Sequence, residues 1–273
     1  MMRFCSVHTH STHCDGKNTL AEMAQAAFET GAVSFGASGH CHTDFAWDQG
    51  SVLPADPKDY RTEVLRLKEA YAGRMDVLLG IEQESLAPQP VPEWAEFWIG
   101  SVHSCPAPSG GNCCVDYDPE TLVKGCETQF GGDWMALAEA YFAQVGKIAA
   151  ARPTILGHLD LVMKFNEGNR FFDETCPRYR AAALDALRQA DPASTLLEIN
   201  TGAMARGFRD TPYPAQFLLR EWRERGGRVI LTADAHSAAA VVYGYDRAAE
   251  WARAAGFSRA SLLTLAGEIE CPL

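Results

Sequence analysis

The sequence predicts an α/β fold in which parallel strands, covered by helices, close or nearly close into a barrel. Three observations carry this. Short apolar runs rich in β-formers alternate with longer stretches whose apolar residues recur at three- and four-residue spacing. The alternation persists along the whole chain, which favours parallel strands joined by crossover helices. It yields about seven units in 273 residues, a size at which barrel-type folds run as one domain, here residues 1–273.

The apolar runs place strands at Phe4–His8, Val33–Ser38, Met75–Glu82, Phe97–His103, Thr154–His158, Thr195–Asn200 and Arg228–Asp234. Between them the helical spacing covers Leu20–Thr30, Pro57–Ala72, Trp134–Ala150, Pro177–Ala190, Pro214–Arg225 and Ala239–Ala254. Proline opens three of these, where a missing N–H costs nothing. The segment Ser104–Asp118 breaks the alternation; rich in Gly and Pro and just past a strand, it reads as a long loop able to cover a site.

The formal charge of −11, from 24 basic and 35 acidic side chains, argues against a nucleic-acid or anionic-membrane surface. No apolar run reaches the roughly 18 residues needed to span a bilayer. The opening MMRFCSVH lacks the apolar core of a secretion signal. Nine cysteines without a CxxC pair indicate neither a disulfide framework nor a thiolate zinc site, so a reducing cytoplasm is the expected compartment.

The eight histidines carry the chemistry. None falls in the expected helices, and His8, His40, His103, His158 and His236 sit at or just past the ends of strands. Asp15, Glu82 and Asp234 join them. In a parallel barrel the C-terminal strand ends converge on one face, and divalent cations bind such a gathering of imidazoles and carboxylates. His8-x-His10 and Asp234-x-His236 are i, i+2 pairs, which project to one face of extended backbone. A carboxylate can bridge two cations, a role that suits Glu82. Imidazole and carboxylate without thiolate suit zinc, manganese or iron.

These residues resemble a known family. VHTHSTHCDG, residues 7–16, looks like the first motif of the PHP (polymerase and histidinol phosphatase) superfamily, an HxH followed by an aspartate and a glycine. SGH at 38–40, GIE at 80–82, SVH at 101–103, GHLD at 157–160 and ADAH at 233–236 follow in the family's order. EINTGAMARG at 198–207, a YP at 213–214 and the DAHS ending resemble the histidinol-phosphate phosphatase branch. The resemblance implies a distorted (β/α)7 TIM-like barrel with three divalent metal ions (Zn, Mn or Fe) at the C-terminal ends of the strands. It puts His8, His10, Glu82 and Asp234 on one metal, Glu82, His103 and His158 on a second, and Asp15, His40 and His236 on a third. Gly39 departs from the pattern, since an acid often precedes that histidine. His13, Cys14, Cys41 and His42 flank motif positions without belonging to them.

The implied reaction is hydrolysis of a small-molecule phosphate monoester: L-histidinol phosphate to L-histidinol and phosphate, a step of histidine biosynthesis. A phosphatase must lower the barrier by up to ~28 kcal/mol, and clustered divalent cations supply much of that. Asp234 or His236 is expected to protonate the leaving alkoxide. Arg206, which can grip two phosphoryl oxygens, and Lys164 are the expected substrate-binding cations. Glu84, Asp44 or Asn200 are candidates for the substrate's amine and imidazole. Rival readings are another small phosphomonoester, a nucleotide or oligonucleotide, a C–N bond hydrolase, and a metal-binding regulator without turnover.

Overall fold

A computed structural model describes residues 3–273. In chain order the elements are α1 (Leu20–Glu29), β1 (Ser34–Ala37), α2 (Lys58–Tyr71), β2 (Asp76–Glu84), β3 (Phe97–Ser101), β4 (Ser104–Pro106), β5 (Asn112–Cys114), α3 (Pro119–Phe130), α4 (Trp134–Ala150), β6 (Ile155–Leu156) and α5 (Pro177–Arg188). There follow β7 (Leu196–Asn200), α6 (Gly202–Ala205), α7 (Gln216–Glu224), β8 (Arg228–Thr232), α8 (Tyr245–Ala254), β9 (Arg259–Thr264) and β10 (Gly267–Pro272).

Strands β1, β2, β3, β6, β7 and β8 pair in that order, all in parallel, in one curled sheet. The expected first strand, Phe4–His8, is not a regular strand. Residues 6–10 instead make single parallel bridges to either side, Ser6 to Phe35 and Thr9 to Ala235. Gly36 N donates to Ser6 O at 2.8 Å on one flank, and His10 N donates to Ala235 O at 2.9 Å on the other. The segment thus wedges between β1 and the end of β8, carrying His8 and His10 to the C-terminal rim. At the opposite end β9 pairs with β8 through Ile230 and Ser261, and Ser34 Oγ donates to Leu263 O at 2.5 Å.

Val7, Leu78, Phe97, Ile99, Ile155, Leu196 and Ile230 form an apolar cluster inside the curl. A Cβ on Gly36 or Gly80 would lie 2.8 or 2.3 Å from the Phe97 ring, so these glycines make room for the one large side chain there. A larger cluster lies between the sheet and its helices. Three caps set helix starts: Thr19 and Glu22 bond reciprocally at α1, Asp118 accepts from Thr121 N, and Asp133 accepts from Met135 N and Ala136 N.

Ser104–Asp118 is not an open loop. It folds into the β4–β5 hairpin, tied to the barrel by Val115 N donating to His103 O at 2.9 Å. Helix α3 had no clear signal, because Thr121, Val123, Gly125 and Thr128 are weak helix formers. Packing overrides propensity there: a Cβ at Gly125 would sit 2.5 Å from Cys113 Sγ. The β9–β10 hairpin also escaped the pattern. The expected helix Ala239–Ala254 starts late, at Tyr245, after Gly244 in the left-handed region. No helix among the described residues is long and apolar enough to cross a membrane.

Trp222 on α7 is fully buried, and its Nε1 donates to Arg228 O at 2.9 Å. Trp222→Ala is expected to cost about 3–5 kcal/mol, read as a lower urea midpoint at similar slope. An unchanged midpoint would place the ring outside the cooperative core.

Candidate active site

The strand ends bring together all nine side chains expected to hold metal. His8 and His10 come from the wedged segment, and Asp15 from the turn after it. His40 follows β1, Glu82 lies in β2, His103 follows β3, and His158 follows β6. Asp234 and His236 follow β8.

Glu82, 1% exposed, stands at the centre. Its Oε2 lies 3.3 Å from His8 Nε2 and 3.4 Å from His10 Nε2. Asp234 Oδ1 is 3.6 and 3.2 Å from the same two nitrogens. Ligands held by metal bonds of about 2.0–2.1 Å in a tetrahedron stand about 3.3–3.4 Å apart, so this quartet has the size of a coordination shell. On the other side Glu82 Oε1 lies 2.9 Å from His158 Nε2 and 3.4 Å from His103 Nε2. A third group surrounds Asp15, with Oδ1 3.6 Å from His40 Nε2 and Oδ2 3.0 Å from His236 Nε2.

His8 Nε2, His10 Nε2 and Glu82 Oε2 are buried without a hydrogen-bond partner. Unpaired buried polar atoms are costly, and these three face one another. Divalent cations fit that donor set. Burial, reinforced by His236 and His40, lowers the His10 pKa to about 3, leaving a neutral imidazole able to coordinate. Burial also disfavours charge on His8, but Glu198, Glu82 and Asp234 outweigh it and hold its pKa well above the usual value. In the same way Glu82 and Asp15 outweigh burial at His40, and Glu82 does so at His103. Protons and cations therefore compete for the same nitrogens.

Two further carboxylates aim the imidazoles. His8 Nδ1 donates to Glu198 Oε1 at 2.5 Å; Thr232 Oγ1, Asn200 Nδ2 and His158 N also donate to this buried carboxylate. Glu84 Oε2 accepts from His103 N at 2.8 Å and lies 3.0 Å from His103 Nδ1. The sequence reading overlooked Glu198. Its signal was an acid in the middle of the apolar strand TLLEIN, a place a carboxylate occupies only with partners.

Asp234 adopts φ +48°, a conformation rare for non-glycine residues and concentrated at functional sites. Gly202, which opens α6 just past β7, lets it approach: a Cβ there would stand 2.7 Å from Asp234 Oδ2. That oxygen accepts from Arg206 Nη2 at 2.9 Å, and Arg206 Nη1 lies 3.0 Å from His236 Nδ1. Burial pushes the Asp234 carboxyl up, yet Arg206 first and His8 next hold it well below the usual range.

The cluster forms the floor of a cavity of about 510 Å³, whose walls include Lys17, Trp47, Asp48, Asp116, Tyr117, Lys164 and Arg206. The Lys164 ammonium donates to Asp116 O at 2.6 Å. The candidates for the substrate's amine are engaged or remote. Glu84 is taken by His103, Asn200 by Glu198, and exposed Asp44 lies 3.4 Å from His42. His13 turns outward to Glu63 at 2.7 Å, and Cys41 lines the cavity with its sulfur 3.1 Å from Glu84 N.

The profile of the PHP domain family matches residues 6–202. The chain belongs to the PHP family. It is 30% identical over 274 residues to a Deinococcus radiodurans protein named "Probable histidinol-phosphatase", covering 94% of this chain and 95% of that one. It is 24% identical to the "Histidinol-phosphatase" of Bacillus subtilis, covering 88% of this chain and 96% of that protein. The crystal structure of histidinol phosphate phosphatase from Lactococcus lactis, complexed with zinc, L-histidinol and phosphate, superposes with a TM-score of 0.66. The identity there is 18%, over 98% of this chain and 100% of that one. The likeness of fold extends past the matched profile to β8 and the turn after it that carries Asp234 and His236.

Within this PHP fold, Glu198→Gln removes the charge that fixes the His8 ring while keeping its volume. It is expected to weaken zinc binding about 10–100-fold, measured by competition with a chromophoric chelator. An affinity equal to the parent's would remove Glu198 from the support of the site.

Proposed function

We propose that this protein hydrolyses L-histidinol phosphate to L-histidinol and phosphate, as a metal-dependent phosphoric monoester hydrolase acting through one domain. One observation carries the reading: nine imidazole and carboxylate side chains gather around Glu82 in overlapping groups, seven of them lining a single cavity beside Arg206 and buried His8 and His10 completing the cluster. The nine residues would hold three divalent ions: His8, His10, Glu82 and Asp234 the first, Glu82, His103 and His158 the second, Asp15, His40 and His236 the third. Bound there, such ions polarise water and phosphoryl oxygens and screen the charge that builds up in the transition state.

The remaining roles fall to the chain. Arg206 binds phosphoryl oxygens; its Nε is buried with no acceptor, so the guanidinium has donor capacity left beyond Asp234. Lys164 adds positive charge to the same cavity. The Asp234 carboxylate, kept ionised, collects the proton released by the attacking water and returns it to the leaving alkoxide. His236 keeps it aimed, with Nδ1 2.9 Å from Asp234 O and 3.5 Å from Asp234 Oδ1. Nine cysteines, all free, suit work in a reducing cytoplasm.

The test is phosphate release from histidinol phosphate and a panel of other monoesters, on protein whose metals are counted by elemental analysis. About three equivalents of metal are expected, with loss of turnover on chelation and recovery on reloading. Turnover that survives exhaustive chelation would sink the proposal. His8→Ala and Asp234→Ala should each lower kcat/KM on the order of a thousandfold. Arg206→Ala should raise KM about 10–100-fold, the worth of a charged hydrogen bond; an unchanged KM would assign phosphate binding elsewhere.

A further inference from the structure

We propose that Asp160 is a positioning residue: through its bond to the start of α7 it holds the backbone on which His158 rides. This rests on the metal-site reading given above. His8 and His103 each have the outer ring nitrogen braced by an acid, Glu198 for the first and Glu84 for the second. His158 Nδ1 is buried and has no hydrogen-bond partner. Its ring is therefore aimed by the backbone that carries it.

That backbone belongs to the loop after β6, and the loop is clamped at three points. The Tyr141 hydroxyl accepts from Leu161 N and donates to Leu159 O, each at 3.2 Å. Arg209 Nη1 donates to Met163 O at 2.9 Å. Asp160, 1% exposed, accepts from Ala215 N at 2.8 Å through Oδ2, across 55 residues of chain. Ala215 caps the start of α7, and the N-terminus of a helix favours a carboxylate.

The Asp160 bond closes a circuit. Tyr213, just before Pro214 and Ala215, exchanges both backbone bonds with Asn200, each at 3.0 Å. Asn200 Nδ2 donates to Glu198 Oε2 at 3.0 Å, and the same oxygen accepts from His158 N at 2.6 Å. His158 is thus gripped from both sides, by Glu198 at its own N–H and by Asp160 a little further along. Asp160 Oδ1 is buried without a partner. A carboxylate buried with one oxygen unpaired costs stability, so packing alone gives no reason for an acid here.

Zinc affinity, measured by competition with a chromophoric chelator, tests this without turnover. Asp160→Ala is expected to weaken binding about tenfold. Asp160→Asn keeps an amide oxygen for Ala215 N and should stay near the parent. Ala215→Pro removes the same bond from the donor side, where a φ of −57° suits proline. It should match Asp160→Ala, and it replaces that variant if Asp160→Ala does not fold. Combining Asp160→Ala with Glu198→Gln should lose little more than Glu198→Gln alone, since both open one circuit. Losses that multiply would mark independent effects on the fold. Parent affinity in Asp160→Ala and Ala215→Pro, Asp160→Asn as weak as Asp160→Ala, or multiplying losses overturns the proposal. A parent protein that takes up no zinc sinks the metal reading itself.

Discussion

One buried carboxylate organises this molecule. Glu82 lies within 3.4 Å of nitrogens on five histidines: His8, His10 and His40 at one oxygen, His103 and His158 at the other. Burial pushes its pKa up, but His8, His40 and His103 together hold it well below the usual range. An ion so deeply placed is tolerated only where its partners are fixed. The barrel rim supplies that fixity, because the five partners come from four separate stretches of backbone: segment 6–10 and the ends of β1, β3 and β6.

The arrangement is stiffened from behind. Glu198 joins His8 to β7 and, through His158 N, to the end of β6, while Glu84 joins His103 to β2. The wedged segment 6–10 bonds to both flanks, so the HxH pair is held without a regular strand. At Asp234 the chain turns through a strained conformation that Gly202 leaves room for. Strain of this kind persists only where the surroundings over-determine it, and Arg206 with three imidazoles does so. A site built this way is organised before substrate arrives, which is what electrostatic stabilisation of a transition state requires.

The cavity above the cluster carries both signs of charge: Arg206 and Lys164 are among its walls, as are Asp48 and Asp116, the last paired with Lys164. The acidic net charge of the chain sets no preference for phosphate by itself; local placement does. The hairpin that carries Asp116 is the same segment whose sequence reads as a loop, and it depends on Lys164 and on α3 packed against Cys113 for its position.

By itself the sequence determined the alternation of strands and helices, the gathering of histidines and acids at strand ends, and the same-face pairing of His8 with His10 and Asp234 with His236. These are local properties: period, turn chemistry and the alternation of side chains along extended backbone. Tertiary structure decided what depends on contacts between distant residues. It reduced the first strand to two bridges, formed α3 despite weak propensity, and turned His13 away from the site. It gave Glu198 its task and paired Asp116 with Lys164. The reason is physical: spacing says which face a side chain occupies, whereas its partner depends on how the sheet curls and which loops fold over the rim.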